Sequence, residues 1–332
     1  MDVRYQELAK RIGLGQSERM ARLFSMLTDQ AEADLLLALP GNAPALAEKL
    51  GRSEQEVSQM IQTLFLKGLV FPSFKTDPPT YRMCRDVIQF HDATILWPEA
   101  PREFLDLWQE WTEVEWPDLA KVLTQAMPKP GMRIIPVGVS VQADAQVLAF
   151  EDVKDIIQNA RSLAVTQCTC RKVAHKCDNP LEVCLQVNNA AEYAVTRGTG
   201  RRLTKEEALD IARKSEELGL IHATFNQKSV DHVICNCCAC CCQFMPVLIK
   251  YGTAFVAPSR FQAQVNEELC SACEICLDRC AFGAIEMDDD RAKVIADKCF
   301  GCGVCKVTCP EEAISLIEVR AQDFVPDKLA MH

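Results

Sequence analysis

CSACEICLDRC, residues 270–280, and CFGCGVCKVTCP, residues 299–310, each set four cysteines at the spacing C-x2-C-x2-C-x3-C. Pro310 closes the second run. From Cys270 to Cys299 is 29 positions, and the continuations match as well: AFGAIEM follows the first run and PEEAISL the second. The pattern is an internal repeat, which marks one supersecondary unit used twice.

The rest of the chain bounds what that repeat can mean. With 332 residues there is room for two or three domains and a substantial core. Composition is that of an ordinary globular protein, 48 % hydrophobic and 25 % charged, with a formal net charge of −10. No apolar run approaches the roughly 18 residues that a bilayer-spanning helix needs. MDVRYQELAKRIGLG lacks the apolar stretch and small-residue cleavage site of a secretory signal. The expected location is the cytoplasm, where dense cysteine points to metal or redox chemistry rather than disulfides. The 19 cysteines are unevenly spread: the first 167 residues hold only Cys84, expected to be an inert thiol. The others fall at 168–184, 235–242 and 270–309, so a metal-free N-terminal part is expected to precede a metal-binding C-terminal half.

An iron–sulfur cube needs four thiolates at tetrahedral corners. A C-x2-C-x2-C loop wraps three of them, and the next cysteine, turned away, reaches a neighbouring cube. Residues 262–319 accordingly resemble a bacterial-type ferredoxin domain with two [4Fe–4S] clusters. The resemblance implies one cluster on Cys270, Cys273, Cys276 and Cys309, and the other on Cys299, Cys302, Cys305 and Cys280. Ala281 stands where the family often has proline, which removes no ligand. Paired C-x2-C also binds zinc, but a doubled four-cysteine run favours two cubes. Clusters so close suit single-electron transfer and leave little room for substrate. From residue 262 onward there are 7 Lys+Arg against 14 Asp+Glu, with DDD at 288–290 expected as a hairpin turn. Such an acidic face suits a basic redox partner, or is simply solvated.

The middle segment carries ten more thiols. QCTCRKVAHKCDNPLEVC places Cys168, Cys170, Cys177 and Cys184 at C-x-C-x6-C-x6-C, enough for one cluster or a structural zinc. These cysteines follow an expected helix, FEDVKDIIQNARS, and precede another that begins near Leu185. Arg171 and Lys172 stand ready to offset negative charge, and His175 is read as a hydrogen-bonding neighbour. VICNCCACCCQF, residues 233–244, adds Cys235, Cys237, Cys238, Cys240, Cys241 and Cys242. One cube cannot satisfy six cysteines. If residues 238–242 are helical, Cys238 and Cys242 share one face and Cys237 and Cys241 another. Ten thiols can serve two cubes with two left over, or a larger cluster, so one or more further iron–sulfur clusters are expected here. TKEEALDIARKSEELG reads as a helix with Thr204 and Glu207 at capping-box spacing and Gly219 at its end. GLIHATF and SVDHVIC read as short extended segments, with His222 and His232 as packed residues.

The N-terminal part differs. NAPALAEKLGRSEQEVSQMIQTLFLKGLVF reads as helix, turn at Gly51, second helix to about Lys67 and turn at Gly68, before the polar hairpin PSFKTDPPTYRM. Residues 19–90 resemble a winged helix-turn-helix. In DNA-binding members the second helix enters the major groove with basic or amide residues. Here it offers Glu54, Gln55, Glu56, Ser58, Gln59 and Gln62, and residues 1–90 balance at 11 basic and 11 acidic. Phosphate neutralisation dominates nucleic-acid affinity, so DNA binding is not expected and a protein-interaction or dimerisation role is. Trp97, Trp108, Trp111 and Trp116 form an expected helical core stripe, with a partner interface as the alternative.

No G-x-x-x-x-G-K-[ST] phosphate loop, G-x-G-x-x-G turn or C-x3-C-x2-C run is present. The expected fold class is α+β: a winged-helix-like module (1–90), a Trp-rich helical connector (91–135), a mainly helical Cys-rich metal-binding domain (136–261) and a ferredoxin-like two-cluster domain (262–332). As a whole the chain loosely resembles the multidomain 4Fe–4S-binding proteins of anaerobic bacteria. The expected function is single-electron transfer to or from a partner oxidoreductase. An iron–sulfur reductase with its active cluster in the middle domain and a redox-sensing regulator are the alternatives. A homo-oligomer through the winged module and no membrane insertion complete the expectations.

Overall fold

The computed structural model describes residues 2–138, 141, 147–230 and 232–328. Two compact units divide the chain, Met1–Trp116 and Pro117–His332.

The first unit is helical. α1 (Val3–Arg11), α2 (Glu18–Leu27) and α3 (Gln30–Ala38) precede α4 (Ala43–Leu50) and α5 (Glu54–Lys67). The capping box at Ser53 and Glu56 starts α5, and Gly51 and Gly68 end α4 and α5 in the left-handed conformation that glycine adopts without strain. β1 (Val70–Ser73) and β2 (Thr80–Met83) then form an antiparallel hairpin. α6 (Val87–Ile95) and α7 (Arg102–Val114) follow, and α8 (Trp116–Ala126) leads onward. Apolar positions at helical spacing on α7 turn Phe104, Trp108 and Trp111 inward, and Trp116 joins them. Trp108 meets Trp111 edge to face at 5.6 Å, an arrangement that aromatic quadrupoles favour. Three of the four tryptophans are thus core, whereas Trp97 is half-buried. Exposed Glu54, Gln55, Glu56, Ser58, Gln59 and Gln62 line the outer face of α5.

In the second unit the helices of the Cys-rich middle surround a sheet that only short extended segments announced. Seven strands, β3 (Met132–Ile134), β4 (Leu163–Gln167), β5 (Glu182–Val187), β6 (Gly200–Arg202), β7 (Ile221–Phe225), β8 (Val233–Cys237) and β9 (Val256–Ala257), lie in the order β6-β4-β5-β8-β7-β3-β9. EVCLQV and VICNC alternate buried with more exposed side chains, which is strand periodicity, and LAVTQ is buried on both faces at its first four residues. Around them run α9 (Val153–Asn159), α10 (Thr169–Ala174), α11 (Asn189–Thr196), α12 (Lys205–Glu217) and α13 (Met245–Tyr251). The helix expected over residues 150–162 stops at Asn159. Leu185, expected near a helix start, lies inside β5, and residues 239–241 form a turn, not a helix. α12 has its capping box at Thr204 and Glu207.

The sheet has two faces. Val165, Leu185, Val187 and Ile234 point one way and pack on Ile156, Ile157, Ala208 and Ala212 from α9 and α12. Removing these side chains from water is the main drive for docking the helices. The other face carries cysteines.

The last part adds β10 (Phe261–Val265), α14 (Ile275–Arg279), β11 (Ile285–Asp288), β12 (Arg291–Val294), α15 (Val304–Val307) and β13 (Ile314–Glu318). β10 pairs antiparallel with β13, and β11 with β12 through a turn at Asp289 and Asp290. β10 and the strands of the seven-stranded sheet belong to the same compact unit. The peptide N–H of Val137 donates to Cys302 O at 2.9 Å, and Arg279 Nη2 donates to Glu216 O at 2.5 Å. The C-terminal cysteine loops are therefore bonded to the segment that follows β3 and to α12. No helix is long and apolar enough to cross a membrane among the described residues.

Candidate metal centres

Two cavities lie in the C-terminal part. Cys270, Cys273, Cys276 and Cys309 line one, with Val265, Ile275 and Ile314 as apolar wall. Cys280, Cys299, Cys302 and Cys305 line the other, beside the stacked rings of Phe282 and Phe300. Each cavity therefore takes three cysteines from one run and one from the other. Backbone N–H groups aim at the sulfurs: Ala292 N to Cys270 Sγ at 3.5 Å, Ala284 N to Cys280 Sγ at 3.3 Å and Ala263 N to Cys299 Sγ at 3.4 Å. Such donors stabilise negative charge on thiolate sulfur. Burial pushes the Cys302 thiol up to about 12 and raises Cys305 and Cys276 as well. An apolar pocket disfavours a bare thiolate, so these sites call for a cation that displaces the proton. Gly301 closes the second loop at φ +63°, where a Cβ would stand 2.0 Å from the Phe261 carbonyl oxygen. All-sulfur donor sets of four in apolar pockets fit iron–sulfur clusters.

The ten middle cysteines divide by position. Alternation along β8 puts Cys235 and Cys237 on the face away from Ile234 and Asn236. The register Leu185↔Ile234 and Gln186↔Val233, continued by one residue, sets Cys184 opposite Cys235. Cys168 follows β4 as the N-cap of α10, and Cys170 lies in the first turn of that helix. Cys170 hydrogen-bonds Cys168 and Cys242, while Cys237 hydrogen-bonds Cys235 and Cys242. Six thiols thus line one patch: Cys168, Cys170, Cys184, Cys235, Cys237 and Cys242. Hydrogen bonds from Cys170 and Cys237, with backbone N–H donors from Met245 and Phe244, hold Cys242 well below the usual thiol range despite burial. The same bonds to Cys168 and Cys242, and to Cys235 and Cys242, raise Cys170 and Cys237.

The other four gather elsewhere. Cys177 Sγ stands 3.9 Å from Cys238 Sγ and 3.6 Å from Cys241 Sγ, and Cys240 Sγ stands 3.7 Å from Cys241 Sγ. All four sulfurs lie within 4.8 Å of one another. Burial opposes ionisation of Cys177, yet hydrogen bonds from the Asn179 backbone and side chain, and from Cys240 and Cys241, bring it down to about 6. Burial and the neighbouring Cys238 push Cys240 up to about 11.

Between the two groups lies Arg171, buried although charged. Its Nη1 donates to Pro180 O, its Nη2 to Asn236 O at 3.2 Å, and it hydrogen-bonds Cys238. Burial disfavours the cation, but Cys168, Cys238 and Cys177 around it raise its pKa on balance. Lys172 is partly buried, and burial lowers it. His175 is exposed and ends α10 in the left-handed conformation. Buried His222 bridges Asn236 Oδ1 at 2.6 Å and Glu216 Oε1 at 3.0 Å, and His232 packs edge-on against Phe225. Cys84 is buried in the first unit, and burial raises its pKa.

Asn236 and Asn179 escaped the reading of the sequence. Asn236 Nδ2 donates to Val183 O at 2.5 Å and Asn179 Nδ2 to Cys177 Sγ at 3.4 Å, so both orient thiol-bearing segments. An amide inside a run of six cysteines was the available signal.

A family model described as a 4Fe–4S binding domain matches residues 292–315, which hold Cys299, Cys302, Cys305 and Cys309. No curated protein and no solved structure matches the chain. A 4Fe–4S binding domain with these four cysteines makes the chain an iron–sulfur protein.

Proposed function

We propose that the chain passes single electrons to or from a partner oxidoreductase through several iron–sulfur clusters. The observation that carries this reading is the exchange of Cys280 and Cys309 between the two C-terminal cavities. Two sites that share both loops must lie side by side, which favours electron exchange over substrate binding. In this reading Cys270, Cys273, Cys276 and Cys309 hold one [4Fe–4S] cluster, and Cys280, Cys299, Cys302 and Cys305 a second. The six-thiol face of the sheet holds a further one. Bound clusters supply one-electron chemistry. The chain supplies thiolates, apolar walls that exclude water, N–H donors to sulfur and, at Arg171, a buried positive charge beside the middle thiols.

Partner recognition rests on charge. The C-terminal part is acidic, 14 Asp+Glu against 7 Lys+Arg, and suits a partner with a basic docking face. The helices α3 to α5 with the β1–β2 hairpin serve as a winged-helix-like module for protein contact or self-association. The exposed acidic and amide side chains of α5 argue against a DNA role. The proposed location is the cytoplasm, where thiols remain reduced. A reductase reading draws on the six-thiol face, which offers more sulfur than four-ligand coordination uses.

Anaerobic purification with iron, sulfide and paramagnetic resonance analysis tests the proposal. Two magnetically coupled reduced cubes are expected, and Cys309→Ser should damage the cluster held by Cys270, Cys273 and Cys276. Zinc in place of iron at these eight cysteines would overturn the reading.

A further inference from the structure

We infer that Cys177, Cys238, Cys240 and Cys241 hold one tetrahedral thiophilic metal ion, not an iron–sulfur cluster. The inference goes beyond the electron-transfer reading and does not depend on it.

Geometry carries the argument. Four sulfurs bound at about 2.3 Å to one ion at tetrahedral corners stand about 3.8 Å from one another. Three of the six sulfur–sulfur separations are 3.9, 3.6 and 3.7 Å, and all six lie within 4.8 Å. The ligand sulfurs of a cube must stand farther apart, because each binds its own iron at a separate corner. The eight C-terminal cysteines provide an internal comparison. Among the described residues no other set of three or more Cys, His, Asp or Glu ligand atoms is gathered within 4.8 Å. The cysteines that line the two C-terminal cavities are therefore spread, whereas this quartet is drawn to one point.

Charge and position agree. Four thiolates around a divalent ion leave two negative charges, and Arg171 hydrogen-bonds one of the four, Cys238. Asn179 donates to another, Cys177, at 3.4 Å. Cys177 follows α10, whereas Cys238, Cys240 and Cys241 lie in the turn after β8. One ion would staple that turn to the loop 61 residues earlier. The same turn ends at Cys242 and the same loop begins beyond Cys170, so the staple sets the spacing of thiols on the adjacent face. An all-sulfur tetrahedron accepts zinc or a single iron.

The test uses the full chain purified anaerobically. X-ray absorption at the zinc edge should show about four sulfurs at about 2.3 Å and no metal neighbour. If the ion is iron, oxidised protein should show a high-spin ferric resonance distinct from any cluster. Cys240→Ala, at the exposed member of the quartet, should remove about one metal ion per chain and leave acid-labile sulfide unchanged. Cys242→Ala, on the neighbouring face, should leave that ion bound. Loss of about four irons with their sulfides from Cys240→Ala, or of the ion from Cys242→Ala, would overturn the inference and indicate one cluster spanning both groups. Wild-type protein with neither signal would overturn it as well. Failure of the two C-terminal cubes to form would leave these readouts intact.

Discussion

Arg260 Nε donates to Glu151 Oε1 at 2.7 Å, and solvent reaches almost none of either side chain. Nη1 of the same guanidinium reaches Glu318 Oε1 at 2.6 Å and the Arg320 carbonyl at 3.1 Å. One arginine thus joins the turn before α9 to the strand pair that flanks the C-terminal cysteine segment in the chain.

Removing only the cation strands a buried carboxylate. Arg260→Met should cost about 3–5 kcal/mol in denaturant unfolding, whereas Arg260→Met combined with Glu151→Met should recover much of the loss. Equal destabilisation of the single and double variants would show that packing, rather than the stranded charge, sets the cost.

Gly301→Ala tests the second cavity. A left-handed φ of +63° and a Cβ 2.0 Å from the Phe261 oxygen leave no place for a methyl group. The loop bearing Cys299, Cys302 and Cys305 must then shift. The variant should lose about half of the iron held by the C-terminal part, measured against wild type after anaerobic reconstitution. Full iron content would show that the loop tolerates displacement.

Arg171→Met removes the buried charge beside the middle thiols and two backbone contacts. The reduction potential of the middle cluster should fall, because reduction adds negative charge that the arginine no longer offsets. A redox titration followed by paramagnetic resonance checks this. An unchanged potential with full metal content would limit Arg171 to a scaffolding part.

The N-terminal unit should bind duplex DNA no better than a generic acidic protein at moderate salt, since α5 exposes Glu54 and Glu56 rather than basic residues. A sequence-specific complex at nanomolar concentration, seen by gel shift, would instead favour a regulator.

Local signals were legible in the sequence. The capping box at Thr204, the glycine ends of α4 and α5, the turn at Asp289 and the doubled cysteine spacing each depend on residues a few positions apart. Short-range sterics and hydrogen bonding decide such features, so contiguous sequence contains them. The tryptophan core of α7 was readable for the same reason, from helical spacing.

The thiol-bearing sheet was readable only in part. GLIHATF and SVDHVIC read as extended and hold β7 and the start of β8, but in EVCLQV the cysteine counts equally as apolar, small or ligand, which masked the period of two. Strand order β6-β4-β5-β8-β7-β3-β9 pairs segments far apart in the chain, and nothing local specifies which edge meets which. The division of the middle cysteines was decided there too. Sequence proximity groups Cys177 with Cys168, Cys170 and Cys184, and Cys242 with Cys241. Pairing of β5 with β8 and the turn after Cys237 instead bring Cys177 to Cys238, Cys240 and Cys241, and leave Cys242 with Cys170 and Cys237. By itself the sequence determined that the chain binds metal through sulfur. Which sulfurs meet is a property of long-range strand pairing, because only folding fixes the distance between side chains 61 residues apart.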